Sequence, residues 1–89
     1  MNELTVKQSS AEVLKTVWIN GETQTMVMKL EPGDDPKEYY YVFLRGESSY
    51  IISQSNFDRI QDAIGKGAKF VRINDDLVNV NEIKRFKKN

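Results

Sequence analysis

Apolar and polar residues alternate with a period of two over much of the chain, and each alternating run ends in a cluster of turn-forming residues. Val13-Leu14-Lys15-Thr16-Val17-Trp18-Ile19 is rich in β-branched and aromatic residues, and Asn20-Gly21 follows at once. That pair favours the left-handed backbone of a tight hairpin turn, so 13–19 is predicted as a strand. Ser9-Ser10-Ala11-Glu12 also matches a helix-initiating capping box, so a helical turn over 10–14 competes with it. The return strand is predicted over 24–30. Register is decisive, because a slip of one residue turns every side chain to the other face. A two-residue loop sets Val17 against Gln24 and Lys15 against Met26, mixing apolar with polar. A four-residue loop, 20–23, sets Val17 against Met26 and Val13 against Leu30, and a three-residue loop sets Leu14 against Met28. Polarity matching favours the longer loops.

Both prolines of the chain lie in Glu31-Pro32-Gly33-Asp34-Asp35-Pro36-Lys37-Glu38, which predicts an exposed loop. Residues 39–45 follow as a strand with Tyr39, Tyr41 and Phe43 on one face and Tyr40, Val42 and Leu44 on the other. Two apolar faces place it in the middle of a sheet. Gly46-Glu47-Ser48-Ser49 turns the chain into a fourth strand over 50–54.

A change of period to i, i+3, i+7 at Phe57, Ile60 and Ile64 marks a helix, with Ser55 as expected N-cap and Asn56, Arg59 and Asp62 on the wet side. Gly65 and Gly67 are expected to end it in left-handed conformations. Residues 69–73 then alternate as a strand, Asn74-Asp75-Asp76 turns, and 77–80 returns. Residues 81–86 either continue that strand or make one helical turn, with Ile83 and Phe86 spaced to pack. The order β-β-β-β-α-β-β predicts a single small α+β domain, with a mostly antiparallel sheet and one short helix on one face. Its expected limits are 11–86, with a flexible arm over 1–10 (a short strand at Leu4-Thr5-Val6) and a basic tail over 87–89.

Composition narrows the chemistry. The chain has 89 residues, 13 basic and 13 acidic, and neither His nor Cys. Thiol nucleophiles, Ser-His-Asp triads, His- or Cys-based metal sites and disulfides are excluded. No apolar run approaches a membrane span, and Met1-Asn2-Glu3-Leu4 does not begin a signal peptide, so a soluble, cytoplasmic protein is expected. With few apolar side chains to bury, added burial against a partner or a second copy would matter.

Acid–base catalysis would fall to Asp, Glu, Lys or Tyr. Asp34-Asp35 lies in a loop expected to be solvated, with ordinary carboxylate pKa values, and Asp75-Asp76 lies in a turn, where Asp is common for conformational reasons. Asn74, Asp75, Asp76, Asn79 and Glu82 offer oxygen ligands but lack the spacing of a calcium loop. Gly65-Lys66-Gly67 follows its helix, where a phosphate-binding loop would precede one. No catalytic residue, metal or cofactor is expected.

Phe70-Val71-Arg72-Ile73, Leu77-Val78-Asn79-Val80 and Ile83, after a short helix, form a pattern similar to the last part of LytTR-type DNA-binding domains. Those domains carry basic residues for DNA in the turn, where this chain has Asn74-Asp75-Asp76, so no function is carried over.

Two functional classes remain. The first is a non-enzymatic protein-interaction module, a small regulator or inhibitor that binds a protein partner or itself. Trp18, Asp34, Asp35, Tyr39, Tyr41 and Phe43 are its candidate contacts, because Trp and Tyr are enriched at interfaces and the acidic loop could meet a basic surface. Trp18, beside the turn, is alternatively a core anchor. The second class is a nucleic-acid binder using the strand face of Tyr39, Tyr41 and Arg45 with Lys84, Arg85, Lys87 and Lys88. Against it stands a charge distribution close to even, with five basic and seven acidic residues in 1–45 and eight and six in 46–89.

Overall fold

The fold is seen in a computed structural model that describes residues 11–89, and the arm expected over 1–10 lies outside them. Strands β1 (Ala11–Ile19) and β2 (Glu22–Leu30) form a hairpin. Strands β3 (Tyr39–Leu44), β4 (Ser49–Ser53) and β7 (Ile83–Lys88) form an antiparallel sheet in the order β4-β3-β7. Helix α1 (Gln54–Gly65) follows β4, and β5 (Phe70–Ile73) pairs with β6 (Asp76–Asn79) in a second hairpin. The molecule is thus α+β and mostly antiparallel, with one helix packed against the sheet.

β3 is the central strand, as its two apolar faces require. On one side Val42, Leu44 and Ile52 pack with Ile60 of α1 and with Val71 and Ile73 of β5. Tyr40 stacks flat on Phe57, ring centres 3.7 Å apart, and Phe86 meets Phe57 edge-on. On the other side Ile51 packs with Met28 and Leu30, and Tyr39 and Tyr41 lie against this smaller cluster. The first hairpin therefore covers the face of β3 and β4 that α1 leaves open.

Four local expectations are corrected. The β1–β2 loop has two residues, with Ile19 paired to Glu22. Asn20 and Gly21 have φ of 52° and 82°, so the left-handed preference of the turn outweighs the polarity matching that favoured longer loops. β1 begins at Ala11, so 11–14 is extended rather than helical. The N-cap of α1 is Ser53, whose hydroxyl accepts from the Asn56 amide at 3.1 Å, because β4 runs directly into the helix. Gly65 is still helical, and of the two glycines only Gly67 has a positive φ.

Asn56 lies in the core, not on the wet side, and it is 4% exposed. Its amide donates to the Arg72 carbonyl at 2.9 Å and its oxygen accepts from the Asn74 N–H at 2.9 Å. Asn74, with φ 55°, holds the turn between β5 and β6. Its side chain accepts from the Lys29 N–H at 3.2 Å and donates to the Ile51 carbonyl at 3.0 Å. One asparagine side chain thus joins the edges of β2 and β4 in place of a strand ladder. Residues 81–86 divide, with a short helical turn over Val80–Glu82 and then β7, which extends through Lys88.

Candidate interaction surface

The two-residue turn decides which side chains of the first hairpin face outward. Val13, Lys15 and Val17 turn inward with Met26 and Met28, and Leu14, Thr16 and Trp18 turn outward with Thr25 and Val27. On the outer face Leu14 is 71% exposed, Trp18 68% and Val27 46%. Leu14 and Val27 are direct cross-strand neighbours. Single exposed apolar residues are ordinary, but three on one small face are the kind of patch that marks a contact surface. Trp18 is presented to solvent and does not anchor the core. Phe70 and Leu77 form a separate exposed apolar pair on the β5–β6 hairpin.

The turn also fixes the direction of the backbone groups. In a two-residue hairpin the closing pair, Ile19 and Glu22, is hydrogen-bonded, and bonded pairs recur at every second residue. The N–H and C=O groups of Glu12, Leu14, Thr16 and Trp18 therefore point away from β2. β1 pairs only with β2, and its other edge is open, among the described residues.

Tyr39, Tyr41 and Phe43 form a half-buried row on the hairpin side of β3, with successive ring centres 5.8 and 6.0 Å apart. The Lys15 ammonium lies 4.9 Å from the Tyr39 ring centre, and the Arg85 guanidinium 4.4 Å from that of Phe43. Lys87 is paired in register with Tyr41. Among the described residues no carboxylate pairs with Lys15, Arg85 or Lys87, whereas Lys29 has two such partners and Arg59, Lys66 and Lys88 have one each.

The other nucleic-acid candidates do not join this row. Arg45 lies in a short helical turn past the end of β3, and its Nε donates to the Asn81 carbonyl at 2.8 Å. Lys84 borders a shallow hollow near Asn20 and Glu47. Lys88 is bound to Glu38 at 2.8 Å, over the Tyr40 ring. Lys15, Leu14 and Val27 were not singled out by sequence. Asn20-Gly21 was the signal for them, since that turn sets their faces.

Asp34 and Asp35 have internal work. The Asp35 carboxylate accepts from the Lys37 N–H at 2.9 Å. The Asp34 carboxylate accepts from the Glu31 N–H at 2.8 Å, the Ser55 hydroxyl at 2.7 Å and the Ser55 N–H at 3.2 Å, tying the proline loop to the start of α1. Burial alone would raise its pKa, but the bonds from Glu31 and Ser55 together outweigh that and hold it below the usual 3.8, so the ordinary value expected from sequence is corrected. A depressed folded-state pKa stabilises the fold above the unfolded value, and that stabilisation is lost as pH falls through the folded value. Wild type should therefore lose stability relative to Asp34→Asn as pH drops below about 3.8, read by thermal melts between neutral pH and pH 2.

The turn acids are similarly occupied. Asp75 pairs with Lys29 at 3.3 Å, and Asp76 accepts from the Tyr50 hydroxyl, a bond that, ahead of burial, pushes this hydroxyl up to about 12. Asn79 caps the turn at Asn81. No helix among the described residues is long and apolar enough to cross a membrane. No protein-family model, curated protein or solved structure matches the chain.

Proposed function

We propose that the protein is a non-enzymatic interaction module, a small regulator or inhibitor that acts by binding a protein partner or a second copy of itself. The observation that supports this reading is the outer face of the β1–β2 hairpin, where Leu14, Trp18 and Val27 are exposed together beside a strand edge that none of the described residues pairs with. Burying an exposed Leu or Val side chain is worth about 1.5–3 kcal/mol, so this face has a reason to be covered. Its centre is apolar or hydroxylated, and its charges, Glu12 and Lys29, sit at one end. That is the layout of an interface with a dry centre and a polar rim.

A photo-cross-linking residue at Thr16, between Leu14 and Trp18 on that face, tests the reading. The expected result is a discrete protein adduct in the source cells, which purified components reproduce and Leu14→Lys abolishes without unfolding the domain. Absence of a protein adduct, or an adduct to nucleic acid alone, would overturn it.

The alternative is nucleic-acid binding through the aromatic row. Lys15, Arg85 and Lys87 around that row favour it, but Lys15 and Arg85 lie over the rings on which bases would stack. Phosphate contacts would reveal themselves in binding that weakens steeply with salt.

A further inference from the structure

We infer that the partner segment is an extended acidic peptide that adds as a strand to the open edge of β1 and sets its carboxylates toward Lys15, Arg85 and Lys87. This rests on the interaction-module reading above and names the chemistry of the ligand. The first observation is the edge itself. Glu12, Leu14, Thr16 and Trp18 direct four N–H groups and four C=O groups outward with no strand opposite them among the described residues. An extended peptide satisfies such groups by strand addition, and its alternate side chains then fall on opposite faces.

The second observation is where those faces lead. β2 is the strand joined to β4 through Asn74, and Lys15 of β1 reaches the ring of Tyr39 on β3. β1 therefore lies over β3, and the next strand position outward lies on the side of β7. Inward side chains of an added strand would turn toward Lys15, Arg85 and Lys87, whose charges no described carboxylate neutralises. Outward side chains would stand beside Leu14 and Trp18. Three cations around one aromatic row, unmatched by any carboxylate of the described residues, have the complement of an acidic strand. A nucleic acid would meet the same charges but could not use the strand edge, and it would have to displace Lys15 and Arg85 from the rings.

The test uses the whole protein and a fluorescent peptide alternating Glu with Thr, read by anisotropy. A peptide alternating Lys with Thr and an oligothymidylate of similar length serve as comparisons. The Glu peptide should bind and the Lys peptide should not. Lys15→Glu combined with Arg85→Glu should weaken binding by roughly tenfold or more, since both charges would face the ligand. A Glu peptide N-methylated along its pairing edge should lose binding to a similar extent, which checks strand addition without altering the protein. Equal binding of the methylated peptide, or an oligothymidylate that binds in its place, would overturn the inference. Should the Glu peptide fail to bind while the Thr16 cross-link to a protein persists, the inference falls and the interaction-module reading stands.

Discussion

Asn56→Ala is expected to cost about 1–3 kcal/mol, because it leaves two partly buried backbone groups without their partner at once. The Asn56 side chain is the partner of both the Arg72 carbonyl and the Asn74 N–H, and Asn56 itself is buried while these two groups are partly so. An unmatched buried donor or acceptor costs its desolvation, about 1–3 kcal/mol each, whereas the loss of an exposed bond costs little. Urea or thermal unfolding should show the loss, with the melting point falling by on the order of 10–20 °C for a domain of this size. Asn56→Leu should not rescue it, since volume is kept but both bonds are gone. A loss below about 0.5 kcal/mol in either variant would mean that the strand-to-helix corner is held by something else.

A second pair of substitutions tests both the register of the first hairpin and the position of the main core. Ile52→Ala should destabilise by about 2–5 kcal/mol, the range for truncating a fully buried aliphatic chain. Ile52 is completely enclosed, packed among Val42, Ile60 and Ile73, so the vacated space cannot fill with water at little cost. Leu14→Ala removes a comparable amount of hydrocarbon from a strand and should change stability by less than about 0.5 kcal/mol, because Leu14 already faces solvent. If Leu14→Ala proved as damaging as Ile52→Ala, Leu14 would have to lie inside, and the two-residue turn that points it outward would be wrong. Equilibrium unfolding in urea measures both.

The contrast between those two residues shows what the chain discloses by itself. Strands with alternating side chains, the proline break, the helix stripe of Phe57, Ile60 and Ile64 and the centrality of Tyr39–Leu44 all follow from local periodicity, and the structure has them. The outward face of Leu14 was hidden because polarity matching between two strands competes with turn chemistry, and the turn prevails. Asn56 and Asn74 were hidden for a different reason. A polar side chain becomes a core residue only when distant backbone groups need it, and nothing within a few positions of Asn56 announces Arg72 or β2. The aromatic row was legible from its spacing. Its cations were not, because Lys15 and Arg85 come to it from opposite ends of the chain.

The asparagine bridge between β2 and β4 has a dynamic consequence. A continuous ladder unzips only rung by rung, but a seam closed by one side chain acts as a latch. The first hairpin buries Val17, Ile19, Met28 and Leu30, and the cluster it forms with Ile51 holds three buried side chains against six in the main cluster. Local opening should begin there, with the arm of β1 and β2 breathing away as a unit while α1 and its sheet stay closed. Any ligand that settles along β1 would then do more than attach: it would hold the latch shut and slow hydrogen exchange at the Lys29 amide, a site it never touches.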